Sequence, residues 1–307
     1  MLSKNKKASQ NFGTISVLIA ATLWGCIGLF TRTMFSENVG FSPVQSVAVR
    51  AFFTMFIMLI VILIKDPKLL KISLKDIWIF LGTGLFSFMF FNICYMTSID
   101  ENSLSVACIL MYTSPIWVTV ISIPLFKEKL NTHKVISLIL CFGGAVMTCL
   151  SSSLVLTKKG LIFGLLSGVG YALYSIFGKF ATGKYHTLTI IFYTFLFATI
   201  GVLPFSNAKG IIILFEKPVN ILLSVGVSVF CTILPYLFYT YGLSKISAPK
   251  AAVISILEPI VATLVGLFFY SEIPSLIGYL GIVTVVFGLI YLEKGADLFR
   301  VNKNLSK

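Results

Sequence analysis

Long runs of apolar residues, separated by short polar and charged clusters, recur along the whole chain. A helix crossing the roughly 30 Å hydrocarbon core of a bilayer needs about 20 residues at about 1.5 Å of rise each, and ten runs are of about that length. They cover approximately 13–34, 43–64, 77–97, 104–125, 133–150, 160–182, 186–204, 219–242, 249–270 and 275–292. None alternates in the two-residue rhythm of a barrel strand, and backbone polar groups in lipid must be satisfied within the segment, so all ten predict helices. The connections are short, the longest about 14 residues, which leaves no room for a soluble catalytic domain.

Composition agrees with a lipid environment. The 307 residues are 57% hydrophobic and only 11% charged, with a mean hydropathy of +0.98, whereas soluble domains are about 25% charged. The net charge of +13 is not arranged as a basic run interleaved with aromatics, which argues against a nucleic-acid partner. The charges instead mark topology, because short loops rich in Lys and Arg stay cytoplasmic. With the N-terminus inside, cytoplasmic segments hold 18 of the 24 Lys and Arg residues. Outside loops hold four, Lys158, Lys159, Lys209 and Lys217, and Arg32 and Arg50 lie within spans. Both termini are therefore expected in the cytoplasm of a multi-pass, bacterial plasma-membrane protein. Lys4, Lys6 and Lys7 precede an apolar run too long for a signal peptide and followed by no cleavage signal, so an uncleaved first span is expected. The six cysteines sit singly in apolar stretches, without metal-ligand spacing, and are expected to pack in the core.

The chain also resembles itself. An offset of 147 residues lays Gly13 on Gly160, Trp24 on Tyr171, Phe30 on Phe177 and Arg32 on Lys179. An offset of 144 lays Tyr95 on Tyr239, Pro115 on Pro259, Glu128 on Glu272 and Gly144 on Gly288. Five spans per half is an odd number, so the second half enters the membrane from the opposite side, and the predicted fold is all-α with ten transmembrane helices in two inverted five-helix repeats. The expected divisions are 1–150 and 160–292 for the repeats, 151–159 for a linker and 293–307 for a basic cytoplasmic tail.

The stretches at 111–147 (MYTSPIWVTVISIPLFKEKL onward) and 257–291 (LEPIVATLVGLFFYSEIPSL onward), the TLWG at 22–25 and Arg50 after Ser42-Pro43 resemble the EamA-type family of the drug/metabolite transporter superfamily. That resemblance implies a central cavity between spans 1–4 and 6–9, with spans 5 and 10 peripheral, and a role in moving small polar metabolites, often amino acids. The second copy of the TLWG element departs from the pattern: Tyr171 replaces Trp and no Gly follows.

A charge deep in a span needs a partner or a wet cavity. Glu258, mid-span and directly before Pro259, is expected either to bind a cationic group of the cargo or exchange a proton, or to pair permanently with Arg50. Pro259 removes a backbone N–H and is expected to leave a kink with the Ser255 carbonyl open; Pro115 is its counterpart. Arg50 is suited to a substrate carboxylate or to a structural lock. Trp24, Tyr95, Tyr112, Tyr171, Tyr174, Tyr193, Tyr236 and Tyr239 are candidate cavity-lining aromatics able to hold ammonium groups, several of them expected instead to pack or to sit in the interfacial belt. Trp24, Tyr95, Tyr171 and Tyr239 are favoured as repeat-related pairs. Arg32 and Lys179 end their spans, where long side chains snorkel, and Glu128 and Glu272 just beyond spans 4 and 9 suit capping or gating. Gly160, Gly164 and Gly168 predict a close helix contact.

No phosphate loop is present, so ATP is not expected to drive transport directly, and His133 and His186 lie at span ends, away from any zinc pattern. No cofactor or metal is called for. The expected function is a secondary carrier exporting a small polar metabolite, acting as a monomer or homodimer and driven by protons or the cargo's own gradient. A carrier of organic cations is the rival within transport, and an intramembrane enzyme the rival outside it.

Overall fold

The computed structural model describes residues 2–129, 131–150 and 155–305, with side chains described between residues 8 and 294. Residues 151–154 of the expected linker, and the side chains of Lys4, Lys6, Lys7, Arg300, Lys303 and Lys307, lie outside the described residues. Ten helices long and apolar enough to span a membrane occupy the described residues: α1 Ala8–Met34, α2 Pro43–Lys65, α3 Leu74–Glu101, α4 Leu104–Phe126, α5 Thr132–Cys149, α6 Lys158–Thr182, α7 Thr187–Phe205, α8 Pro218–Lys245, α9 Ala248–Tyr270 and α10 Leu276–Lys294. No strand occurs among the described residues. The helix that contains α10 continues to Leu305, so residues 293–305 extend the last span as helix.

Local chemistry sets the helix ends. Ser42 opens α2 with a capping box, its hydroxyl accepting from the Gln45 N–H while the Gln45 side chain accepts from the Ser42 N–H, and Pro43 fills the first turn where no donor is needed. Two spans break in the middle. In α4 the helix pauses at Tyr112 and Thr113 and restarts at Ser114, and in α9 it pauses at Ser255 and Ile256 and restarts at Leu257. Pro115 and Pro259 stand in the first turn of each second half-helix, where the missing N–H leaves nothing unsatisfied. The Ser255 carbonyl, expected to be open, accepts from the Glu258 N–H at 3.0 Å, because the pause tightens the backbone into a turn. Two further spans contain π-helical stretches, Gly82–Met89 in α3 and Val229–Ile233 in α8.

The helices pack as two triplets. α1 packs along α8 and α9, while α6 packs along α3 and α4. α2 and α7 pack against each other on one side of the triplets. α5 and α10 form the closest pair of all at the periphery, where Gly144 and Gly281 stand so close that a Cβ on either would lie within 2.8 Å of the other's carbonyl oxygen. Helix association in lipid depends on such close approach rather than on a hydrophobic drive. Large apolar side chains elsewhere on the surface, such as Ile64, Phe268 and Ile273, are exposed as lipid-facing residues should be.

Candidate functional site

The two triplets enclose a polar, aromatic centre. Trp24 of α1 is nearly buried, its ring 5.3 Å from those of Tyr236 and Tyr239 of α8 and 6.2 Å from that of Tyr171 of α6. Ser114 and Val118 of α4 and Ala252 and Ser255 of α9 complete the wall of a narrow cavity. Both half-helix breaks lie beside it, where polar backbone faces protein rather than lipid.

Glu258 reaches this centre from the first turn of the second α9 half-helix. The Tyr171 hydroxyl donates to its Oε2 at 3.1 Å. Arg50 of α2 is buried elsewhere: its Nε donates to Thr232 Oγ1 at 3.1 Å, and its guanidinium carbon lies 5.9 Å from the centre of the Phe88 ring. Among the described residues no carboxylate lies within 4.0 Å of Arg50, so the anticipated Glu258–Arg50 ion pair does not form. The cause is rotational placement, since α2 turns Arg50 toward α3 and α8. Glu258 thus meets the cavity through Tyr171, whose ring lines it and whose hydroxyl donates to the carboxylate, and Arg50 contributes positive charge behind the aromatic wall.

The remaining predicted residues separate into groups. Tyr239 is buried and its hydroxyl shares a 2.6 Å hydrogen bond with Ser175 of α6. Tyr95 shares one of 2.9 Å with the Cys108 thiol, and its ring stacks on Phe91, which in turn meets Tyr171. Tyr112 is buried at the α4 break. Arg32 lies at one end of the molecule, its two terminal nitrogens donating to Glu272 at 2.7 and 2.9 Å with Tyr270 beneath its guanidinium at 4.1 Å. At the other end Glu128 pairs with Lys134 at 3.4 Å, and Lys179 donates to the carbonyls of Leu243 and Ile246 at 2.7 Å each. Of the cysteines expected in the core, Cys94, Cys141 and Cys231 are buried, but Cys26, Cys108 and Cys149 are only half-buried. Cys26 sits at a break in α1, and Cys108 faces Tyr95.

Two residues outside the favoured set belong to the site. Tyr174 shares a 2.6 Å hydrogen bond with Thr240, and its ring lies 4.8 Å from that of Tyr236. Each is three residues from a predicted lining residue, Tyr171 and Tyr239, which is the spacing of neighbours on one helix face and was legible as such. A second, shallow cleft lies between α4, α5, α9 and α10, bounded by Glu128, Lys134 and Lys250.

Ten membrane-length helices around a central cavity, with a half-buried acid beside it, define a polytopic membrane transporter. The sequence profile of the EamA-like transporter family matches the chain twice, over residues 11–150 and 158–293, and the chain belongs to that family. It is 25% identical over 281 residues to an uncharacterized transporter of Archaeoglobus fulgidus, covering 92% of this chain and 96% of that one. It is 28% identical over 289 residues to the uncharacterized transporter YxxF of Bacillus subtilis, covering 91% and 89%. The pseudopaline exporter CntI of Pseudomonas aeruginosa is 27% identical over 202 residues, 66% of this chain and 70% of the exporter. A solved crystal structure at 16% identity superposes with a TM-score of 0.75 over 91% of this chain and 96% of that chain, which speaks to fold alone.

Proposed function

We propose that the protein is a secondary carrier that exports a small polar metabolite, an amino acid or a related compound, across the cytoplasmic membrane by alternating access. The observation that carries this is the Glu258–Tyr171 hydrogen bond, which ties the acid at the broken centre of α9 to the aromatic wall between two helix triplets. A carboxylate beside π faces attracts an ammonium group, so a cargo with a protonated amine fits. The exporter named for pseudopaline among the relatives supports the direction. Glu258 is also the group through which protons would couple to movement, since it is the acid placed deepest in any span.

An inverted pair of five-helix halves supports alternating access, and several contacts are consistent with it. Gly13 packs on Gly242 where the second half has Gly160 on Ser98, and Phe30 packs on Gly226 where it has Phe177 on Gly82. The left-handed residues Lys127 and Ser271, with φ of 52° and 55°, are 144 positions apart and precede Glu128 and Glu272. Lys and Arg placement supports both termini in the cytoplasm.

Purified protein in liposomes tests the proposal: uptake of labelled amino acids down a gradient, abolished by Glu258→Ala, is the expected result. Flux of quaternary ammonium compounds alone would favour an organic-cation carrier, which the aromatic wall also suits. Turnover of a solute without flux would favour an intramembrane enzyme.

A further inference from the structure

The two ends of the molecule hold their repeat-related cations differently. Lys179, near the end of α6, donates to the carbonyls of Leu243 and Ile246 at the C-terminal end of α8. Such carbonyls have no partner inside their own helix, and a helix C-terminus favours a cation. Because α6 and α8 belong to different triplets, this contact fastens the triplets together. The same end is closed further by the Ser175–Tyr239 and Tyr174–Thr240 hydrogen bonds and by packing of the Ser114–Phe126 half of α4 against the Ala248–Ile254 half of α9. Among the described residues no comparable packing joins the other halves of those two helices.

Arg32 holds the place of Lys179 in the first half, and the offset of 144 carries Leu243 to Ile99 and Ile246 to Asn102. The ends of α3 and α8 have the same shape: Asn102 caps α3 with φ −121° and ψ 176°, and Ile246 caps α8 with φ −122° and ψ 169°. Yet Arg32 does not bind the end of α3. It is held by Glu272 and Tyr270, at the end of α9 in its own triplet. The equivalent acid for Lys179 is Glu128, which here is left to Lys134.

We propose, resting on the inverted-repeat reading above, that Lys179 and Arg32 are alternate latches of the transport cycle. In the conformation described, Lys179 is latched across the triplets and Arg32 is parked on Glu272. In the opposite conformation the two exchange roles: Arg32 leaves Glu272 and binds the Ile99 and Asn102 carbonyls, while Lys179 leaves α8 and parks on Glu128. Each cation thus has one partner within its triplet and one across the gap, and only one end is fastened at a time. Both are positioning residues and touch no cargo.

Cys108, facing Tyr95 in the half of α4 that is not packed on α9, reports opening at the Arg32 end. In a background with the other five cysteines replaced by Ala, Lys179→Gln is expected to slow labelling of Cys108 by a membrane-impermeant maleimide about five-fold, the lower range of conformational coupling. Arg32→Gln is expected to leave labelling equal to or faster than the parent's, the double variant to return it toward the parent's, and Lys179→Arg to preserve it. Labelling slowed by Arg32→Gln, or unchanged by Lys179→Gln, would overturn the latch exchange. Should the cysteine background not fold, hydrogen exchange on the native sequence substitutes: Lys179→Gln should speed exchange over residues 240–248 and slow it over 96–104, and equal changes at both ends would overturn the proposal. Flux measured in parallel separates the two levels, since a parent that moves no solute fails as a carrier, whereas normal flux with unmoved labelling fails only the latch.

Discussion

α1 and α6 begin the two halves and present aromatic residues to the same cavity, but they differ where they do so. α1 breaks at Cys26, immediately after Trp24-Gly25, whereas the helix of α6 runs unbroken from Lys158 to Thr182 past Tyr171-Ala172. Gly25 explains the first case: a Cβ there would lie 2.5 Å from Val261 and 2.8 Å from the Glu258 carbonyl oxygen, so its absence lets α9 bring the acid against α1. The second case supplies what the first lacks. Tyr171 has a hydroxyl that reaches Glu258, while Trp24 packs its ring on Tyr236 and Tyr239. One half shapes the cavity and the other makes it polar. The departure of the second half from the TLWG pattern is therefore the change that gives Glu258 its donor.

The sharpest test of that division is Glu258→Gln. Losing the charge from a site built around a charged hydrogen bond is worth about 3 kcal/mol, or about 100-fold in transport rate. If cargo flux in liposomes falls less than about three-fold, the polar side of the site has been misplaced. Next in size is Gly25→Ala. Overpacking costs about 1–3 kcal/mol and should appear as a lower melting temperature in detergent, whereas Ala172→Gly at the equivalent place in α6 should cost about 1 kcal/mol or less. Equal losses would remove the asymmetry between the helices. Tyr171→Phe deletes one hydroxyl and should slow transport by about five-fold, equivalent to about 1 kcal/mol, while Trp24→Phe should alter apparent affinity without changing the pH profile.

The smallest effect concerns Glu272, beyond the end of α9. Hydrogen bonds from Arg32 hold its carboxyl below the ordinary value of 4.5. A depressed folded-state pKa adds stability above the unfolded value and loses it as pH falls through the folded one. The pair is about half exposed, so screening keeps its worth under about 1 kcal/mol. The melting temperatures of the parent and Glu272→Gln should differ slightly at pH 7 and converge as the pH falls through the depressed value of Glu272, below 4.5.

The ten spans were legible because length and hydropathy alone decide what can cross a bilayer. Glu258 was legible as the deep acid, and of the four aromatics that stood out as repeat-related pairs Trp24, Tyr171 and Tyr239 line the cavity, while Tyr95 sits behind them on Cys108 and Phe91. The partner of Glu258 was not, because sequence fixes how deep a residue lies but not which way its helix is turned. Arg50 lies far enough into α2 to reach an acid and is nonetheless rotated onto Thr232. Pro115 and Pro259 marked the breaks in α4 and α9 as kinks, although the pauses themselves fall three to four residues earlier, at Tyr112 and Ser255, whereas the pause at Cys26, with only Gly25 beside it, was hidden.

The π-helical stretches of α3 and α8 bear on how the gene can change. A π turn forms where a helix absorbs an extra residue without rotating the rest of the span. Deleting a single codon within Gly82–Met89 therefore allows the stretch to relax to α-helix while Tyr95 and the end of α3 keep their facing. The same deletion in the regular part of α7 would turn every later residue by about 100°. Length variation among homologous spans should accordingly gather at these two stretches and be rare elsewhere in the bundle.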